Sequence, residues 1–306
     1  MITTRIRSSL RARRCTRTMR RMTLGATEPM YRDCVALASA HYENFPTAAW
    51  WLPREVRQAV AAVYAFARQA DDIADESTLP AEERKRMLDA WEVLLRRSAA
   101  EELPHPVFAP LGEAIRRFRL DVEELARLLV AFRMDLDTHA YASERELMFY
   151  CRHSAAPIGR TLLSIAGIED PRLVAASDAL CAGLQLVNFW QDIAEDLARG
   201  RCYLPASWLE PHGITPEALI RGGAKSEKLA VVWPQAFAYA AARLDEGRLL
   251  LSARPRWLRM LAAGAIAGGF RVLGKLKRRT DLKDRARLRA HDRLAVGWAV
   301  AKAAWR

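Results

Sequence analysis

Arg54-Glu-Val-Arg-Gln-Ala-Val60-Ala-Ala-Val-Tyr64-Ala-Phe-Ala-Arg68-Gln-Ala-Asp71-Asp72-Ile-Ala-Asp75-Glu76 follows directly on Pro53 and contains neither glycine nor proline. Val56, Val60, Val63, Tyr64 and Ala67 recur three and four apart, the period of one helical face. Alanine, leucine and arginine dominate the chain from Tyr31 onward, and all three favour helix. Outward from it, breakers cut the sequence into further helices. Pro80 opens one that reaches about residue 98. Pro104, Pro106 and Pro110 mark a loop before a helix over 111–119. Another runs from about Asp121 to Asp137, and two flank Gly167 and Pro171, the later one reaching Leu197. Residues 204–216 read as a loop. Helices are expected over 226–250 and 256–275, with a charged one closing the chain. No alternating strand, hairpin dipeptide, fixed-period repeat or linker stands out. The expectation is one all-α domain over 30–306, a bundle of helices around a buried core.

The 306 residues are 51% hydrophobic and 27% charged, ordinary globular values that exclude a mostly disordered chain. No run of 18 apolar residues is free of charge, so no transmembrane helix is expected. The net charge of +12 is uneven. Residues 1–27 hold eight arginines and no acid, and removing them leaves +4. Residues 1–29 therefore read as a basic, disordered N-terminal arm outside the fold. It has no apolar core of a secretory signal, although its composition resembles a transit peptide. A second basic zone, Arg271 to Arg293, carries ten Lys/Arg against three Asp. Cys15, Cys34, Cys151, Cys181 and Cys202 form neither a disulfide framework nor a zinc pattern. A reducing, cytoplasmic location fits them best.

Two segments carry the chemistry. In the first, Asp71 and Asp75 lie four apart, with Arg68 and Tyr64 on preceding turns of the same face. In the second, Gln185, Asn188, Asp192 and Asp196 step by three, four and four, one row along a helix. Leu184, Leu186, Val187, Phe189, Trp190 and Ile193 surround that row, and polar groups so enclosed need satisfying. Opposed acidic rows, brought together by helices antiparallel across a bundle, repel unless cations neutralise them. Oxygen-only ligands of this kind suit Mg²⁺, which keeps waters and phosphate oxygens in its shell. Mg²⁺ in turn points to a phosphate-bearing ligand. No P-loop, dinucleotide, kinase or His-rich metal motif is present. His139 and His153 read as packing or hydrogen-bonding residues. Nothing beyond charge suggests nucleic acid.

The paired aspartate segments, the Gln185-x-x-Asn188 lead-in and the tail Arg199-Gly-Arg201-x-Tyr203-Leu-Pro205 together resemble the squalene/phytoene synthase family over roughly residues 31–280. The resemblance implies a single-domain prenyltransferase or terpenoid-synthase bundle around a central apolar cavity. It implies ionisation of an allylic or cyclopropylcarbinyl diphosphate with Mg²⁺. By position, Asp71, Asp75, Asp192 and Asp196 would hold the metal. Arg68, Arg201, Gln185, Asn188 and Asn44 would contact diphosphate, with Tyr64 and Tyr203 beside them. Phe45, Phe66, Phe149, Tyr150 and Phe189 would line the cavity and face the carbocation.

His41-Tyr42-Glu43-Asn44-Phe45-Pro46 stands where the family usually has a His-Ser-x-Ser-Phe stretch. It is similar to the hydroxysqualene synthase branch, as is Tyr150-Cys-Arg-His-Ser-Ala-Ala-Pro157-Ile-Gly-Arg160, whose Pro157 is expected to kink a helix. That branch converts presqualene diphosphate and water to hydroxysqualene in squalene and hopanoid synthesis, and Glu43 would orient or deprotonate the water. Presqualene diphosphate synthase and a flavin-dependent reductase would be neighbours in the pathway. Two other readings stand beside it: head-to-head coupling of prenyl diphosphates, and a non-catalytic assembly factor on the same fold. The basic C-terminal region, with the apolar stretch Met260 to Phe270 before it, suggests peripheral membrane contact.

Overall fold

A computed structural model describes residues 27–40, 51–75, 78–222 and 229–305. Helix α1 (Thr27–Ala40) starts three residues inside the segment expected to be a disordered arm. Pro29 is tolerated there because the first amides of a helix have no partner to lose. The rest of that arm lies outside the described residues.

Helix α2 (Arg54–Asp75) is buried round almost its whole circumference, from Val56 and Ala59 through Val63 and Phe66 to Ala70 and Ala74. The middle stretch Ala59 to Phe66 is buried on all sides, and such a segment belongs in the middle of a bundle. Around it pack α1, α3 (Ala81–Ala100), α4 (Phe108–Phe118) and α5 (Val122–Asp137). Helix α4 begins ahead of the expected 111, since Pro110 costs nothing in a first turn. Asp121 caps α5 by accepting from the Glu123 amide at 2.9 Å.

Helices α6 (Glu144–Ser154) and α7 (Ala156–Ile165) connect this half to α8 (Pro171–Ala198). Pro157, expected to kink a continuous helix, instead stands in the first turn of α7 after a break at Ala155. Its missing amide is harmless at that position. Helix α8 is long and apolar enough to cross a membrane, yet more than half of that stretch is buried inside the protein. It packs on α6, α7, α11 (Trp233–Glu246) and α12 (Arg256–Leu276). Gly183 permits the α8–α11 contact: a Cβ there would lie 2.8 Å from the Leu244 amide nitrogen.

Residues 206–212, read as loop, hold the single turn α9 (Ala206–Leu209) and a 3₁₀ turn, and Trp208 and Leu209 are buried there. Helix α10 (Pro216–Gly222) follows. The helix expected over 226–250 divides into α11 and a 3₁₀ segment, Gly247–Ser252, while 223–228 lie outside the described residues. The closing helix α13 (Ala290–Trp305) runs antiparallel to α12. Most of the basic zone is not helical: 277–289 form an irregular strap between α12 and α13. No strand occurs among the described residues, and the isolated Ala140–Cys202 bridge is the nearest approach to one. The architecture is all-α.

Candidate active site

The acidic rows lie at the C-terminal ends of α2 and α8. Backbone carbonyls already concentrate negative charge at such ends, so carboxylates there need cations. Arg68 supplies one on α2, with Nη1 3.1 Å from Asp71 Oδ2 and Nη2 2.6 Å from Asp72 Oδ1. Asp75, the last residue of the helix, is met from 126 residues away. Arg201 donates from Nη2 to its Oδ1 at 2.7 Å and from Nη1 to its Oδ2 at 3.4 Å. Arg199 approaches the same carboxylate at 4.0 Å. The Asp75–Arg201 pair joins the end of α2 to the turn after α8. Tyr64 is buried one turn before Arg68, which pushes its hydroxyl pKa above the ordinary range.

Along α8, Gln185, Asn188, Asp192 and Asp196 are all half-buried. Among the described residues, the side chains of Gln185 and Asn188 make no hydrogen bond. Asp192 is gripped in a two-point pair by Arg285 of the strap, Nε to Oδ1 at 2.7 Å and Nη2 to Oδ2 at 3.0 Å. Burial still raises its pKa against that pairing. Asp196 is pushed up to about 7, first by burial and then by the Asp192 charge one turn away. The strap is itself tied to α8. Arg279 donates to the Trp190 and Gln191 carbonyls at 2.7 and 3.2 Å, and Gln191 Nε2 donates to the Ala286 carbonyl at 2.7 Å.

A further acid, Asp135 near the end of α5, was not singled out by the sequence patterns. Its Oδ2 accepts from the Tyr150 hydroxyl at 3.0 Å, and its backbone carbonyl accepts from Arg201 Nη2 at 3.2 Å. Burial pushes its pKa up to about 7, with Asp75 and Asp71 adding to the rise and Arg201 opposing it. Asp135 thus shares the electrostatic field of the first acidic row. Its signal was a carboxylate in register with the buried Leu128 and Ala131, seven and four residues earlier.

Next to it stand four rings. Phe189 and Tyr203 stack with centroids 3.9 Å apart and planes 5° apart. Tyr150 lies 5.8 Å from Tyr203 and 6.0 Å from Phe189, and Tyr141 lies 5.7 Å from Tyr150. Tyr150, Tyr203 and Phe189 are therefore gathered beside Asp135 and Arg201. Two other expected liners are not. Phe66 is fully buried on the far side of α2, stacked with Trp91 at 6.2 Å and edge-on to Phe108 at 6.1 Å. It lies two residues from both Tyr64 and Arg68, about 200° round the helix from either. Phe149 is 44% exposed, against the His153 ring and under Arg152. Glu43, Asn44 and Phe45 lie outside the described residues.

The donor set suits a hard divalent cation. It consists of carboxylate oxygens, two of which, on Asp135 and Asp196, have pKa values pushed up to about 7, chiefly by burial. Among the described residues no three acids, histidines or cysteines converge on one point. An ion here would complete its shell with water and ligand oxygens, as Mg²⁺ does with phosphates.

Residues 38–292 match the squalene/phytoene synthase family. The chain belongs to that family. It is 34% identical over 260 residues to a hydroxysqualene synthase of Sinorhizobium fredii, covering 83% of this chain and 86% of that one. It is 36% identical over 229 residues to a presqualene diphosphate synthase of Rhodopseudomonas palustris, covering 72% and 79%. The crystal structure of squalene synthase HpnC from Alicyclobacillus acidocaldarius superposes with a TM-score of 0.76 at 36% identity, covering 82% of this chain and 94% of that one. The protein is accordingly an isoprenoid synthase that acts on prenyl diphosphates, with the terpenoid-synthase type of helical fold. The assembly-factor reading falls, since these relatives are enzymes and the four motif aspartates and Asn188 are all in place.

Proposed function

We propose that this enzyme ionises presqualene diphosphate with Mg²⁺, rearranges the cyclopropylcarbinyl cation and captures water to give hydroxysqualene and diphosphate. The similarity to hydroxysqualene synthases over more than four-fifths of the chain carries this reading. The segment His41 to Pro46 supports it.

Asp71, Asp75, Asp192 and Asp196 would hold Mg²⁺, which supplies charge neutralisation on the departing diphosphate. The remaining work falls to the chain. Arg68 and Arg201 each sit on a carboxylate and would turn to phosphate oxygens, with Gln185 and Asn188 offering amide donors. The faces of Tyr150, Phe189 and Tyr203 would stabilise the cation and keep bulk water away. The bond from carbon to the diphosphate oxygen breaks, one water oxygen bonds to the rearranged cation, and that water gives up a proton. Glu43 is the proposed acceptor. The product is a lipid-soluble alcohol, so a flavin-dependent reductase that removes the hydroxyl is the expected next step towards hopanoids.

The second reading is head-to-head coupling, favoured by the 36% identity to a presqualene diphosphate synthase. The purified protein is to be given presqualene diphosphate and farnesyl diphosphate separately, each with Mg²⁺ and without a nicotinamide cofactor, and the products read by mass spectrometry. Hydroxysqualene from presqualene diphosphate alone is expected. Coupling of farnesyl diphosphate, with no water-capture product from presqualene diphosphate, would overturn the proposal.

A further inference from the structure

Helix α13 turns Val296, Val300 and Ala303 towards α12, where Gly264 makes room for the valines. Its register is pinned by Asp292, which is 3% exposed. Lys275 Nζ lies 2.7 Å from Asp292 Oδ2, Arg271 Nη1 lies 3.6 Å from Oδ1, and the Arg289 amide donates to Oδ2 at 2.8 Å. At the other end Arg259 Nε donates to the Ala303 carbonyl at 3.4 Å and its Nη1 to the Ala253 carbonyl at 3.1 Å.

This anchoring leaves one face of α13 uncovered. Leu294 is 77% exposed, Trp298 68% and Trp305 91%. They fall at intervals of four and seven, one stripe along the helix. The other outward residues include His291, Arg293, Gly297, Ala301 and Lys302, and Lys302 Nζ sits 5.3 Å over the Trp298 ring. No carboxylate is exposed on α13, because its one acid, Asp292, is turned inward. The strap before the helix exposes Lys277, Arg278, Lys283, Arg287 and Arg289 against two acids, Asp281 and Asp284.

We propose that this face of α13 docks the enzyme on an anionic lipid surface. Tryptophans with a cationic rim match the headgroup region, where the ring stays amphipathic and the cations meet phosphate. A second copy of the chain is a poor occupant, because a two-fold contact between these faces sets the cations Arg293 and Lys302 of one copy against those of the other. The basic C-terminal region of the sequence-based candidate is kept, but its apolar stretch is not: Met260, Leu261, Ala262, Ala263 and Ile266 are buried. None of the docking residues belongs to the candidate active site.

The test uses the full chain and vesicles of phosphatidylglycerol mixed with phosphatidylcholine, against phosphatidylcholine alone. Co-sedimentation is expected on the anionic vesicles and is expected to weaken with salt. Brominated acyl chains should quench part of the tryptophan fluorescence. Trp298→Ser with Trp305→Ser should reduce binding by about tenfold or more and abolish that quenching, with helicity and turnover unchanged. Lys302→Ala should cost about fivefold. Wild-type protein that ignores anionic vesicles would overturn the proposal. So would a double variant that binds as well as wild type, which would shift binding to another basic part of the chain. A solution dimer that the double variant dissolves, with no bromolipid quenching, would assign the face to a second copy instead.

Discussion

Replacing Asp196 by asparagine should stabilise the metal-free enzyme at pH 8, although it removes a residue proposed to be essential. Asp196 titrates at about 7 in the folded protein and close to 4 when unfolded. An acid with a raised folded pKa opposes folding when both states are ionised. That cost is full above about pH 7, shrinks as pH falls, and is gone below about 4. Three units correspond to about 4 kcal/mol, and relaxation with water entry reduces this to about 2–4 kcal/mol. Burial is the main cause and the Asp192 charge the second, so an uncharged isostere escapes both. Urea unfolding in EDTA at pH 8 and pH 5.5 is the assay. Wild type should gain stability at the lower pH, and Asp196→Asn should gain less. His105 works in the opposite sense, since burial lowers its pKa and acid favours its unfolded, protonated form. It is common to both proteins and cancels. Asp292 titrates near 2 and is silent in this window. Equal or lower stability of Asp196→Asn at pH 8 would refute the reasoning, because it would mean the carboxylate is compensated without metal.

Arg285→Ala should free Asp192 and tighten binding of Mg²⁺ alone by roughly tenfold, equivalent to about 1.4 kcal/mol, as read by calorimetry; unchanged affinity would show that the pair does not compete with metal. Phe66→Leu should lower stability by roughly 1–2 kcal/mol while leaving kcat/KM intact, since the ring packs on Trp91 and Phe108 away from the acidic row. A marked loss in kcat/KM would return Phe66 to the substrate wall. Gly183→Ala should destabilise by about 1–3 kcal/mol, because its Cβ would meet backbone of Arg243 and Leu244; denaturant midpoints decide it.

Which residues share a face within one helix was legible, because spacing alone sets it. Tyr64, Arg68, Asp71 and Asp75 were found that way, as were Gln185, Asn188, Asp192 and Asp196. What closes on them was not. Asp75 and Arg201 are 126 residues apart and Asp192 and Arg285 are 93 apart, and no local pattern encodes such pairs. Charge counting saw the strap only as a basic stretch, although Arg279 and Arg285 are fixed contacts to α8. Asp135 hid because a single acid beside apolar positions resembles a helix end. Phe66 packs on Trp91 and Phe108, and the helical period already separates it from Tyr64 and Arg68.

The cations now seated on the acidic rows carry a consequence for ligand binding. Arg68 and Arg201 neutralise carboxylates on α2 and Arg285 does so on α8. Under the proposed reading the same carboxylates take Mg²⁺, and Arg68 and Arg201 take diphosphate. Metal alone must displace arginines that then have no anion to meet. Diphosphate alone must draw Arg68 and Arg201 off carboxylates that are then left bare at the C-terminus of α2. Arriving together, each ligand supplies the charge that the other removes, so their binding should be positively coupled and reciprocal. Calorimetry with inorganic diphosphate, Mg²⁺ and then both should show each tightening the other by about five- to a hundredfold after correction for their association in solution. Independent binding of the two would mean that the arginine–aspartate pairs persist in the loaded site, and that the diphosphate is held by other groups.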